Sequence, residues 1–253
     1  MGRTIAVFNQ KGGVGKTTTV VNAAAALGLL KKKVLVVDMD PQGNTTSAFG
    51  KKDPEDRPTT YEWLIGEAEL EDTAVDTEPN VRLVPANANL AGLEIELAME
   101  PDRESVLWER LGEQADYDFV FLDCPPSLGL LSLNALTAAD SVLIPIQTEY
   151  YALEGVSQLM RTIQLVQKDL NTDLEVEGVL LTMYDRRNNL ALDVVEEVKK
   201  HFGKKVYKTA IPRNIRLAEA PSYGESAMQF DKSSKGAQAY AALAKEMIKR
   251  RKS

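Results

Sequence analysis

The chain has 253 residues, 44% hydrophobic and 26% charged, which suits one α/β domain over residues 1–253 with a sizeable core and needs no second domain. A formal net charge of −7 excludes a protein that coats nucleic acid by bulk charge, although a local basic face stays open, and a single cysteine, Cys124, excludes an intrachain disulfide and fits a reducing cytosol. No apolar run approaches the roughly 18 residues of a membrane span, and the first strand follows Met1-Gly2-Arg3 at once, leaving no room for a signal peptide, so a cytoplasmic protein is expected.

Thr4-Ile5-Ala6-Val7-Phe8 is a short β-type run, and Val20 to Leu27 reads as the body of a helix. Between them lies Lys11-Gly12-Gly13-Val14-Gly15-Lys16-Thr17-Thr18, a glycine-rich turn at a helix start. Glycines let the backbone curl until successive N–H groups face one concavity, and the helix N-terminus adds partial positive charge, so a polyphosphate can be held largely by main chain. Lys16 is then placed to neutralise the β- and γ-phosphates, and the Thr17 hydroxyl to sit on Mg²⁺. The pattern G-x-x-x-x-G-K-[ST] is incomplete: Gln10 stands where its first glycine belongs, and a second lysine, Lys11, follows. That lysine reads either as a solvated loop cation or as one that reaches a phosphate, including that of a neighbouring subunit.

Lys33 to Asp38 is a continuous apolar run ending in a carboxylate, as expected of a parallel strand buried on both faces. Asp38 and Asp40 fall at the carboxyl edge of the sheet, where two acids beside a triphosphate call for a metal or a water. Residues 50–80 are acidic and irregular, with a short helix at Tyr61–Ile65. Val81 to Pro85 is a further strand; Leu90 to Met99 and Glu104 to Gln114 read as amphipathic helices, with Trp63 and Trp108 as packing residues. Tyr117 to Asp123 is an apolar strand ending in an acid, the Walker B arrangement, with Asp123 holding Mg²⁺ directly or through its water shell. The stiff loop Pro125-Pro126-Ser127-Leu128-Gly129 is a candidate nucleotide switch, and Cys124 a small buried residue. Strand 141–146, helix 153–170, strand 176–183, a short strand region at 206–211, a helical turn at 217–220 and a closing helix at 236–249 follow. The alternation gives a mainly parallel, twisted sheet covered by helices on both faces.

Charge is segregated along the chain. From Thr182 to Arg216 nine Lys and Arg stand against four Asp and Glu, a balance of +5 that leaves −12 for the rest. A local cationic face of this kind supports sequence-independent phosphate binding; the plainer reading is a solvated helix face with turn residues.

The loop from Lys11 to Thr18 resembles the deviant Walker A motif of the ParA/MinD group of P-loop ATPases, in which the early lysine is the hallmark. Asp40-Pro41-Gln42-Gly43-Asn44, Asp185 to Leu190 and Ile211 to Ser222 are similar to the chromosomal ParA (Soj) branch, and the likeness runs from Thr4 to about Lys249. The resemblance implies an ATP- and Mg²⁺-dependent ATPase whose subunits sandwich two nucleotides, with Lys11 crossing to the partner's ATP. It implies that Asp40 positions the attacking water, that Lys16 and Lys11 stabilise the phosphoryl group, and that Asp38 and Asp123 support the magnesium. It further implies base contacts from Pro212 and Asn214, non-specific duplex DNA binding by Arg187 and Arg216 once the homodimer forms, and a ParB-type centromere-binding partner that stimulates slow hydrolysis. Nucleoid association in the cytoplasm, with no membrane, follows from the same likeness, and no N-terminal helix-turn-helix extension precedes the loop.

Three rivals share the loop. A MinD-like membrane-associated positioning ATPase needs a free amphipathic tail with bulky anchors, whereas the tail from Ala239 is Ala-rich and expected to dock on the body. A nitrogenase-type reductase needs two cysteines per subunit, and only Cys124 is present. A synthetase acting on a small substrate predicts turnover that rises with a metabolite and ignores DNA.

Overall fold

The computed structural model describes residues 2–51, 57–112, 116–149 and 152–251. Seven strands, β1 (Arg3–Val7), β2 (Val34–Asp38), β3 (Val75–Glu78), β4 (Val81–Val84), β5 (Phe119–Asp123), β6 (Ser141–Gln147) and β7 (Glu175–Thr182), form one sheet in the order β3-β4-β2-β5-β1-β6-β7. Every pairing is parallel except β3 with β4. The helices are α1 (Lys16–Leu29), α2 (Asn44–Ala48), α3 (Thr60–Leu64), α4 (Leu70–Thr73), α5 (Leu93–Glu96), α6 (Val106–Leu111), α7 (Leu130–Ala138), α8 (Ala152–Asp169), α9 (Asn189–Phe202), α10 (Ile215–Glu219), α11 (Ala227–Phe230) and α12 (Lys235–Arg250).

Alternation along the strands sorts the core into two layers. Ile5 and Val7 of β1 pack with α1, α10, α11 and α12 on one face, and Ala6 with α3, α6, α7, α8 and α9 on the other. α1 runs through Ala23-Ala24-Ala25-Ala26, all buried, because it lies between the sheet and α12 and only small side chains allow so close an approach. The tail helix α12 docks as expected, burying Tyr240, Leu243, Ala244 and Met247. Since α1 leaves β1 over one face while α7 joins β5 to β6 over the other, the crevice at the carboxyl end of β1 is the topological switch point where ligands bind in open α/β sheets.

Several expectations are corrected. The irregular stretch at 50–80 contains the antiparallel edge strand β3, whose alternation is masked by acidic residues. Leu90 to Met99 is not one helix: two 3-10 turns, Ala88–Gly92 and Leu97–Met99, flank α5, bringing Leu90 and Leu93 into the core at a spacing of three. α6 is shorter than the reading of 104–114, part of which lies outside the described residues, and it turns Leu107 and Leu111 inward. Trp108 therefore points outward, 61% exposed, whereas Trp63 is buried as expected. The 206–211 region is no sheet strand but makes isolated bridges, Val179 to Val206 and Tyr184 to Pro212, along the β7 edge.

Candidate functional site

The turn after β1 is anchored on both sides. The Asn9 amide donates to Pro145 O at 2.8 Å, and Thr182 Oγ1 donates to Val14 O at 2.8 Å, tying the loop to β6 and β7. Gly13 and Gly15 adopt φ of +73° and +91°, in the left-handed region that glycine enters without a Cβ clash. A Cβ at Gly12 or Gly13 would meet no atom within 4 Å, so the concavity is open toward solvent there. α1 starts at Lys16, whose Nζ donates to Asn9 O at 3.0 Å and Lys11 O at 3.3 Å. Burial lowers the amine's pKa, and the nearby Asp123 and Asp40 act against that shift.

β2 and β5 end side by side, with Asp38 and Asp123 paired in register and both fully buried. Asp38 Oδ2 accepts from the backbone N–H and hydroxyl of Thr46 at 2.8 and 2.7 Å, and its Oδ1 accepts from Asp40 N at 3.2 Å. Asp123 Oδ2 accepts from Thr17 Oγ1 at 2.7 Å and Thr45 Oγ1 at 2.6 Å, while Asp123 Oδ1 is buried with no partner. Burial raises the pKa of both acids, and for Asp38 the neighbouring Asp123 charge adds to the rise. Two desolvated carboxylates with an orphaned oxygen beside a threonine hydroxyl are a donor set that a hard divalent cation fits. Asp40 stands next to them, 8% exposed, with Oδ1 accepting from Gln42 N at 2.9 Å.

Lys11 is half-exposed and ion-paired with Glu149 at 3.7 Å. Glu149 also lies 4.0 Å from Arg213, at the edge of an apolar cavity of about 180 Å³. Gly15, Thr18, Met183, Leu217 and Tyr240 line that cavity, together with Pro212 and Asn214. The Asn214 oxygen caps α10 through Arg216 N at 3.0 Å, leaving the amide donors for a ligand. Thr45, Thr46, Glu149, Thr182 and Met183 are site residues that sequence reasoning missed. Only Thr45-Thr46, two hydroxyls directly after Asp40-Pro41-Gln42-Gly43-Asn44, left a local signal.

A larger cleft of about 1420 Å³ opens behind the loop 211–214, lined by Arg186, Arg187, Lys199, Lys208, Arg213 and Lys235, with Asp185 as its one acid among the described residues. The sequence-predicted Arg187 is thus in the cleft, but Arg216 is not; it sits on α10, 5.8 Å above the Phe230 ring.

Residues 2–176 match the AAA domain family. The chain is 55% identical to the sporulation initiation inhibitor protein Soj of Bacillus subtilis strain 168, covering 98% of each chain. It is 51% identical to the chromosome partitioning protein ParA of Myxococcus xanthus strain DK1622, covering 99% of this chain and 89% of that one. A solved structure of cobyrinic acid a,c-diamide synthase from Mycobacterium smegmatis, with bound ATP analog and magnesium, superposes with a TM-score of 0.89 at 42% identity, covering 100% of this chain and 96% of that one. Among the described residues no helix is long and apolar enough to cross a membrane.

Proposed function

This chain belongs to the Soj/ParA family of chromosome-partitioning ATPases, and from that premise we propose that ATP joins two copies of it into a dimer that binds duplex DNA without sequence preference. Gly12 to Thr18 cradle the phosphates by main chain, Lys16 neutralises them, and the base enters the cavity beside Pro212 and Asn214. Thr17, Asp38 and Asp123 hold magnesium, which supplies charge neutralisation on the phosphates. The buried pair Asp38 and Asp123, with its orphaned oxygen, is the observation that carries this assignment.

Asp40 orients the attacking water. It need not be a strong base, because positioning and electrostatics dominate phosphoryl transfer. Lys11 leaves Glu149 to contact the partner's nucleotide, and with Lys16 it stabilises charge developing on the transferred group. Dimerisation brings two cationic faces together, including Arg187 and Arg216, and each added phosphate contact raises affinity through counterion release. A ParB-type centromere-binding protein accelerates hydrolysis and resets the cycle on the nucleoid. Asp40→Ala is expected to bind ATP and accumulate as a DNA-bound dimer; normal hydrolysis by that variant removes Asp40 from its role.

The likeness to a synthase holding an ATP analog favours a second reading, ATP-driven modification of a small metabolite. The cationic cleft, with six Lys and Arg and one acid, weighs toward DNA. Turnover that rises with a metabolite and ignores DNA would reverse that choice.

A further inference from the structure

Both arginines assigned to DNA already hold carboxylates of their own chain. Arg187 Nε and Nη2 donate to Asp185 Oδ1 and Oδ2 at 3.0 and 2.8 Å, a two-pronged pairing of the kind a phosphate makes with the same fork. The Arg187 backbone N–H also donates to Asp185 Oδ1 at 3.0 Å, so a local turn fixes the carboxylate in place. Arg216 is met by Glu219 at 2.9 Å and Asp231 at 3.4 Å.

Asp185 lines the cationic cleft, at the end of a segment that runs past a second cavity. Met183, two residues earlier, lines the base cavity and is held at φ +50°, a left-handed conformation uncommon for such a residue. Tyr184 N donates to Ile211 O at 2.9 Å and bridges Pro212, and Pro212 and Arg213 line both the base cavity and the cationic cleft. A nucleotide base seated against Met183 and Pro212 therefore presses on the backbone that presents Asp185 to Arg187. Besides Arg187, the charge facing Asp185 is Arg213, on the same wall.

We propose that Asp185 is a built-in counter-ion that fills the Arg187 fork until a nucleotide base in the adjoining cavity shifts the shared wall, so that it lowers the DNA affinity of the nucleotide-free protomer. The inference rests on the DNA reading above and adds a control within each protomer. The Arg187 side chain is 90% exposed, so the restraint is soft, about two- to fivefold per protomer.

The test is Asp185→Asn in the full chain, binding an arbitrary 30-bp duplex without nucleotide, with ADP and with a non-hydrolysable ATP analogue over a range of salt. Asparagine keeps an oxygen for the turn and removes the charge; Asp185→Ser, with a hydroxyl acceptor, serves as the second variant. Asp193→Asn, an exposed acid on α9, is the control for bulk charge. Without nucleotide, affinity is expected to rise about two- to fivefold above that control, and the plot of log affinity against log salt to steepen by about 0.9. With ADP, whose base fills the same cavity, Asp185→Asn and Asp193→Asn should coincide. Equal gains with and without ADP, or a match between Asp185→Asn and Asp193→Asn without nucleotide, overturn the proposal while leaving DNA binding intact. Wild-type protein that ignores the duplex even with the analogue overturns the DNA reading itself.

Discussion

Asp38 and Asp123 end adjacent strands in register, out of contact with water, and each ionises against the penalty of its burial. A carboxyl whose folded pKa is raised keeps its proton where the unfolded chain has lost it, so its contribution is present at low pH and disappears as pH rises through the folded value. For Asp38 the window runs from the ordinary carboxylate range up to about 7. Without nucleotide or magnesium, wild-type protein should lose stability relative to Asp38→Asn between pH 5 and pH 8, by on the order of 1–4 kcal/mol. Magnesium should narrow the gap at pH 8; thermal unfolding across that range measures both, and parallel curves for the two proteins would refute the assignment. Lys11 invites a second prediction at this scale. Its exposed pairing with Glu149 contributes little, about 0–1 kcal/mol, so Lys11→Ala should leave nucleotide affinity of the protomer nearly unchanged while weakening ATP-dependent dimerisation. Equal losses in both, read by nucleotide titration and molecular mass, would count against a contact made across the dimer.

α12 and α10 meet where Gly236 passes Leu217, and a Cβ at Gly236 would stand 2.6 Å from Leu217 Cγ. Leu217 also lines the cavity proposed for the base, so the helix contact and that cavity share one side chain. Gly236→Ala gains about 1 kcal/mol of helix propensity but incurs roughly 1–3 kcal/mol of overpacking, so the clash prevails. The expected result is a lower melting temperature and weaker ATP binding, measured by calorimetry and a fluorescent nucleotide analogue; unchanged nucleotide affinity would mean that Leu217 yields away from the cavity. The same scale explains where patterning misled. A strand or helix declares which residues can share a face, yet Trp108 and Leu107 are neighbours in a single turn, and only the placement of α7 decides which of them is covered.

Across the molecule, the +5 stretch from Thr182 to Arg216 condenses into a cleft walled by α9, the 206–213 segment and the start of α12, and Lys235 joins from outside that stretch. Arg187 lies in the cleft and Arg216 on a separate helix, so a duplex touching both must span from one to the other. Arg216→Glu should abolish binding to arbitrary duplex at moderate salt while the ATP-dependent dimer persists, as judged by scattering. Retained DNA binding would confine the contact surface to the cleft.

What the amino-acid order determined alone is local or periodic: the phosphate loop from Gly12 to Thr18, acids closing the apolar strands at Asp38 and Asp123, the alternation of strand and helix, and the cationic run. Backbone conformation and strand burial are dictated by residues a few positions apart, so a short window contains their cause. Tertiary structure alone decided that Thr182 grips Val14, 168 residues away, that Glu149 holds Lys11, and that Pro212 and Arg213 line two cavities at once. Such contacts arise when parallel strands far apart in the chain are laid side by side by helical crossovers, and no spacing within a segment encodes which side chains then face each other.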